Sequence, residues 1–327
     1  MGIGIRFDGF DTIKETIEIC QQVEQAGVTG LWMTEHIGYR EALVSCMAFA
    51  GATERAMVIP AAVTPYLFHP TPTAMSLATM AEAYPGRVAV SVAVGNTLDL
   101  KESGKEPQDG VRAVEDYIAD LRCLWTTDPT DSFTEAYLLS GARMSFKPPE
   151  IPIFVTALGS DVAKAAGNSA DGILLSAGFS VAFVSHCLAL FEEGAKEAGR
   201  DAAALRNAGN IHFAVSGDGK SARENVRRKL SFLFRNRLMA ENIKAAGIPI
   251  DQDAIVDAVA DRDLDKAASL VPDDAVDAFG VAGSPVECAK SLETYLEAGL
   301  QEPVIQVSGS EEEKSLALDV IRQFTGG

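Results

Sequence analysis

Glu35 and His36, adjacent in the run GLWMTEH, come first among the residues able to do chemistry, because a carboxyl beside an imidazole can pass a proton near neutral pH. A histidine inside a core is usually a satisfied structural residue, and His69, His186 and His212 read that way. His36 is set apart by its place at the end of an apolar run. A second candidate is the Leu-Gly-Ser turn at 158–160. Gly159 permits a sharp turn there, Ser160 or Asp161 can cap the helix that follows, and the free N–H groups at that helix start make a seat for a phosphate. The third is Arg6, a cation closing the run GIGIRF.

Other chemistries lack their spacing. There is no HExxH or paired Cys-His pattern for a metal, no GxSxG elbow for a serine hydrolase and no Walker loop. What remains is small, neutral and rich in backbone donors, which suits a flat cofactor better than a metal.

These residues need elements to hold them. The stretch 151–178, IPIFVTALGSDVAKAAGNSADGILLSAG, is one strand-helix-strand unit. Before it the same step repeats: strand 2–7 and helix 11–26 capped by Asp11, strand 29–34 and helix 40–53, strand 57–63 and helix 72–84, strand 87–94 and helix 109–125. After it come a helix at 180–199, strand seven at 210–216, strand eight at 303–308 and a terminal helix at 310–324. Eight apolar runs alternating with helices, without a dinucleotide fingerprint after the first, predict an α/β fold, a (β/α)8 barrel spanning 1–327 as one domain. Insertions are expected after strand four, where 127–150 can form a hairpin over the mouth, and after strand seven, where 238–283 reads as short acidic helices, a lid or subunit contact. Ser284-Pro285-Val286-Glu287 is a capping box that opens the next helix.

In such a barrel the site forms at the C-terminal strand ends. Those ends carry Arg6 and Asp8; Thr34, Glu35 and His36; Ala62, Val63 and Thr64; Gly95, Asn96 and Thr97; Ala157, Gly159 and Ser160; and Ser176, Ala177 and Gly178. Trp32 and Trp125 read as core.

Composition narrows the partners. With 47% hydrophobic and 23% charged residues, 327 residues can bury a large core, and a net charge of −18 opposes nucleic acid and anionic membrane surfaces. The uncharged stretch 56–81 is interrupted by Pro60, Pro65, Pro70 and Pro72, so no membrane span is expected. Cys20, Cys46, Cys123, Cys187 and Cys288 are odd in number and set in apolar surroundings, which predicts buried thiols in a reducing compartment. No signal peptide precedes the first strand, so a cytoplasmic protein acting on a small molecule is expected, working as a homo-oligomer, either a dimer or a dimer of dimers.

The segments VEQAGVTGLWMTEH, AAVTPYLFHP, PGRVAVSVAVGN, KPPEIPIFVTALGS with NSADGILLSAG, and VAGSPVECAKSLETYLEAGL resemble the luciferase-like flavin and deazaflavin oxidoreductases over nearly the whole chain. GARMSFKPPEIPIF and LVPDDAVDAFGVAGSP are most similar to the methylenetetrahydromethanopterin reductases, which use coenzyme F420. The resemblance implies hydride transfer to or from F420, with FMN as the alternative cofactor. It implies a cis peptide and bulge at Ala62-Val63 supporting the ring, with Glu35 and His36 against it, and phosphate contacts at Ala157, Gly159 and Ser160. Two positions depart from the similar reductases. A glutamate of their first strand, proposed as the acid, is Arg6 here, and their Gly-Pro-Lys turn is Gly159-Ser160-Asp161. A guanidinium stays charged and can hold an anion but cannot usefully donate a proton, so an anionic or carbonyl-bearing substrate is expected in place of the methylene-pterin. An FMN-dependent monooxygenase and a non-catalytic flavin-binding protein remain the two other readings.

Overall fold

Runs such as GIRF, GLWM, IFVTA and GILL are buried almost throughout, as strands enclosed between a packed interior and an outer layer of helices must be. The computed structural model describes residues 2–326 and has twelve strands among them. They are β1 (Gly4–Phe7), β2 (Gly30–Met33), β3 (Met57–Val63), β4 (Val90–Val92), β5 (Thr130–Phe133), β6 (Leu138–Ala142), β7 (Ile153–Ala157), β8 (Gly172–Leu175), β9 (Arg206–Asn210), β10 (His212–Val215), β11 (Gly280–Gly283) and β12 (Glu302–Ile305). Eight of them close a parallel barrel in the order β1-β2-β3-β4-β7-β8-β9-β12, with β12 back against β1. This is the (β/α)8 architecture. The expected hairpin is β5 paired antiparallel with β6, and the second insertion is a set of short helices between Arg237 and Phe279.

Strand seven departs from the expectation of 210–216. The seventh barrel strand is β9, and the run beyond Ile211 leaves the barrel as β10 to pair with β11. The sequence of β9, RNAGN, is polar and contains glycine, so it lacks the apolar signal that its neighbour HFAV carries. The first long helix, Ile13–Gln25, is capped by Thr12 in a reciprocal box with Glu15, not by Asp11, because the helix begins later than the apolar spacing suggests. Thr97–Glu102 forms a short helix the sequence did not announce. The Ser284 capping box forms as expected, and stretch 56–81 becomes β3 followed by the helix Pro70–Ala83. No helix among the described residues is long and apolar enough to cross a membrane. Cys123 is half-buried, where the other four free cysteines are buried.

Side chains alternate along each strand, so every second residue enters the barrel. Ile59, Ala61, Ala89, Phe154, Leu174, Ala208 and Val304 meet there around Trp32, whose ring abuts that of Phe154 at 5.2 Å. A Cβ on Gly4 would lie 2.7 Å from Trp32 Nε1 and 2.8 Å from Glu302 Oε1, so Gly4 faces inward and Arg6, two residues on, faces inward above it. Trp125 packs under the helix Pro70–Ala83 and donates its indole N–H to Ala74 O at 3.3 Å. A second core, built on Val226, Leu230, Phe234 and Phe279, joins the helix Lys220–Phe234 to the insertion helices.

Candidate active site

Glu35 and His36 lie where β2 ends. The Glu35 amide donates to Ala61 O at 3.2 Å, which ties the pair to β3. Glu35 Oε2 accepts from the Ala42 amide at 2.7 Å, so the same carboxyl serves the first turn of the helix Ala42–Ala52. Burial pushes the Glu35 carboxyl up to about 7, with Glu41 and Asp99 adding like charge and the Ala42 amide opposing the rise. His36 is half-buried, and its ring stacks on Phe10 at 5.5 Å between centroids. A carboxyl poised near neutrality can take or give one proton, and an imidazole follows it in the chain.

Next to the pair, β3 is irregular. Ala61 pairs with Ser91 and Val63 with Val92, leaving Ala62 as the unpaired residue of a bulge. The non-proline cis bond is Ala61-Ala62, one residue before the expected Ala62-Val63, because it is the peptide entering the unpaired residue and not the one leaving it. Val63 and Thr64 are buried, and the Thr64 hydroxyl is spent on Val94 O at 2.7 Å. Gly95 has φ of +111°, a conformation that favours glycine, and Asn96 caps the short helix after it through the Leu98 amide. Both are exposed.

On the far side, Ala157 is buried at the end of β7, and its carbonyl accepts from the Ser176 amide at 2.9 Å, with half-buried Ala177 next. The helix Ser160–Ser169 has Gly159 as its N-cap and no side-chain cap, so neither Ser160 nor Asp161 takes that role. The Ser160 hydroxyl donates to Glu241 at 3.0 Å and lies 3.2 Å from His186 Nε2. The first-turn amides therefore stay free, and the space around Gly159 is open within 4 Å. The donors facing that space are backbone N–H groups, with the Glu241 carboxylate beside Ser160. Insertions overlie both flanks. Glu135 of the hairpin accepts from Tyr66 and from the Gln108 amide, and buried Asn242 donates to Gly178 O at 2.7 Å while accepting from the Ser180 amide at 2.9 Å.

Arg6 is held rather than free. Its Nη2 donates to Gln306 at 3.2 Å, Gln306 donates to Asp8 at 2.8 Å, and Nε lies 3.1 Å from Asp8 Oδ1 yet has no hydrogen-bond partner, because the N–H does not point at that oxygen. His212, which reads from the sequence as a structural residue, begins β10 just beyond β9, and Lys229, which the sequence did not single out, lies on the helix packed against β10. Both His212 ring nitrogens and Asn210 Oδ1 are buried and unpartnered. Burial, then the charges of Arg6 and Lys229, push the His212 ring down to about 3, so it is neutral. The positions 206, 208, 210 and 212 are spaced by two along one chain, which is the signal that could have placed Asn210 and His212 inside.

The family model described as luciferase-like monooxygenase matches residues 4–302. An F420-dependent glucose-6-phosphate dehydrogenase of Nocardia farcinica is 27% identical, over 93% of this chain and 91% of its own length. A 5,10-methylenetetrahydromethanopterin reductase of Methanolobus tindarius is 23% identical, over 97% and 98%. The structure of the coenzyme F420 dependent tetrahydromethanopterin reductase of Methanopyrus kandleri superposes with a TM-score of 0.87 at 22% identity, over 98% of this chain and 97% of that one, and has the same fold.

Proposed function

The chain belongs to the luciferase-like monooxygenase family, and from its site we propose that it is an F420-dependent oxidoreductase moving a hydride between the deazaflavin and a small substrate other than the methylene-pterin. The observation that carries the reading is Glu35, a carboxyl held near neutrality beside His36 and tied through its amide to the bulged strand β3. The deazaflavin supplies the hydride acceptor or donor when bound. The bulged backbone at Ala62, Val63 and Thr64 would bear its ring, with Gly95, Asn96, Ser176 and Ala177 around it, and the uncapped amides at Gly159 and Ser160, with Ala157 beneath, would take its phosphate. Glu35 and His36 receive the hydroxyl proton when a carbinol is oxidised, or return it when a carbonyl is reduced. The covering insertions exclude water. Relatives named for F420, found over more than nine-tenths of the chain, support that cofactor. The family's oxygen-activating members favour FMN as the second reading.

The same reading takes the chain as one domain, a homodimer and cytoplasmic. The helix Ala42–Ala52 carries no charge and exposes Val44 and Met47, and it lies beside the helix Pro70–Ala83, which exposes Met75, on a chain of net charge −18. Light scattering of wild type and Val44→Glu tests this, since a monomer in both would refute it. Free cysteines support a reducing compartment, and cell fractionation checks it. The cofactor is tested by titrating purified protein with F420 and FMN in parallel. Tight F420 binding with weak FMN binding is expected, and the reverse order would transfer the chain to oxygen chemistry.

A further inference from the structure

We infer that Arg6, Lys229 and His212 bind an anionic oxygen group, a carboxylate or a phosphate monoester, at the end of the substrate remote from the reacting carbon. The inference rests on the oxidoreductase reading for the word substrate, but its physical basis is separate.

Arg6 leaves the end of β1 inward, and His212 begins β10 just past Ile211, whose amide donates to Val304 O on β12 at 2.8 Å. Lys229 comes from outside the barrel. Its helix turns Val226, Leu230 and Phe234 into the second core and pairs Arg223 with Asp277, Arg227 with Asp273 and Arg228 with Asp265. Lys229 alone of that consecutive Arg227–Lys229 run makes no ion pair or hydrogen bond among the described residues, although it is half-buried. A Cβ on Gly178 would lie 2.1 Å from Leu233 Cδ2 and 3.5 Å from His212 Nε2, so the face of this helix that carries Leu233, and Lys229 one turn before it, lies against the His212 ring. Desolvation and the charge of Arg6 both push the Lys229 ammonium down, with Asp8 opposing.

Two cations, Arg6 and Lys229, face one carboxylate, Asp8, so two minus one leaves one positive charge uncompensated in a shielded setting. Such a charge is costly without a counter-ion, and the chain as a whole, at −18, has no shortage of carboxylates that could have filled the place. Three donors at this end of the barrel make no hydrogen bond among the described residues: Arg6 Nε, the Lys229 ammonium and one His212 N–H. Asn210 Oδ1, at the end of β9 two residues before His212, is a spare acceptor. An anionic oxygen group carried next to a hydroxyl satisfies this set, whereas a neutral apolar end satisfies none of it.

The test is NMR of the His212 ring in the full-length protein, assigned against His212→Gln, titrated separately with sodium phosphate and sodium acetate at constant ionic strength, with and without F420 bound. A saturable His212 shift is expected with at least one anion, and Lys229→Met should weaken it about tenfold or more. A response to acetate alone indicates a carboxylate, and to phosphate alone a phosphate monoester. Absence of any saturable shift in wild type overturns the inference, as does an unchanged apparent Kd in a Lys229→Met protein with native circular dichroism. Failure of F420 to bind, read from its own absorbance in the same samples, would refute the oxidoreductase reading while leaving the anion result intact.

Discussion

At the closed end of the barrel the buried Glu302 carboxylate is surrounded by partners. It accepts from Trp32 Nε1 at 3.3 Å and Thr29 Oγ1 at 3.5 Å, and Arg206 Nη2 stands 3.7 Å away. At the mouth, Arg6 Nε of β1, Asn210 Oδ1 of β9 and both ring nitrogens of His212 on β10 have no hydrogen-bond partner, and Lys229 of the helix beyond makes no ion pair among the described residues. The two ends of the barrel thus carry two polar groups, of which one is closed and the other open. A folded chain satisfies buried polar atoms wherever it can, so the closed group reads as part of the fold and the open one as reserved for something that binds.

The largest expected effect concerns the mouth. Glu35→Gln keeps the shape but cannot exchange a proton, so kcat should fall about a hundredfold to ten-thousandfold, and the inflection near pH 7 in the rate profile should vanish. A profile unchanged in the variant would remove Glu35 from the reaction. At the base, Glu302→Ala strips Trp32 and Arg206 of their shared acceptor and should cost about 3 kcal/mol in urea unfolding while leaving F420 affinity unchanged. Lost affinity with intact stability would reverse the comparison.

Much of this was readable in advance, and the failures have causes. The strand-helix repeat, both insertions and the Glu35-His36 pair follow from apolar period and strand-end position. Strand β9 was displaced because Asn210 faces the mouth, and a strand with a polar interior face loses the pattern that announces strands. Lys229 was invisible for another reason. KSARENVRRKLSFLF holds five basic residues, and only the docking of that helix decides that three arginines meet carboxylates while Lys229 turns toward Arg6. Asp11 and Thr12 are both competent caps, and the choice between them rests on the reach of Glu15.

A smaller effect separates the two kinds of titrating group at the mouth by sign. The His212 ring, held down to about 3 from 6.5, refuses a proton that the unfolded ring accepts, so its share of stability is present above pH 6.5 and lost as pH falls toward 3. Glu35, raised to about 7 from 4.5, acts oppositely: its ionisation penalty is present above pH 7 and relieved as pH falls toward 4.5. His212→Gln should therefore flatten the acid limb of Tm against pH, and Glu35→Gln should raise Tm above pH 7. Parallel curves for wild type and His212→Gln would show that the ring is solvated.

The smallest expected change is the most direct test of whether the mouth is held open for a ligand. If Lys229 has no partner in the folded protein, Lys229→Met removes a desolvated charge and replaces it with an apolar chain of similar length. Urea unfolding of the ligand-free variant should then give a stability within about 0.5 kcal/mol of wild type or above it. A loss of about 2 kcal/mol would show that Lys229 is paired within the fold, like Glu302 at the base, and would contradict the account.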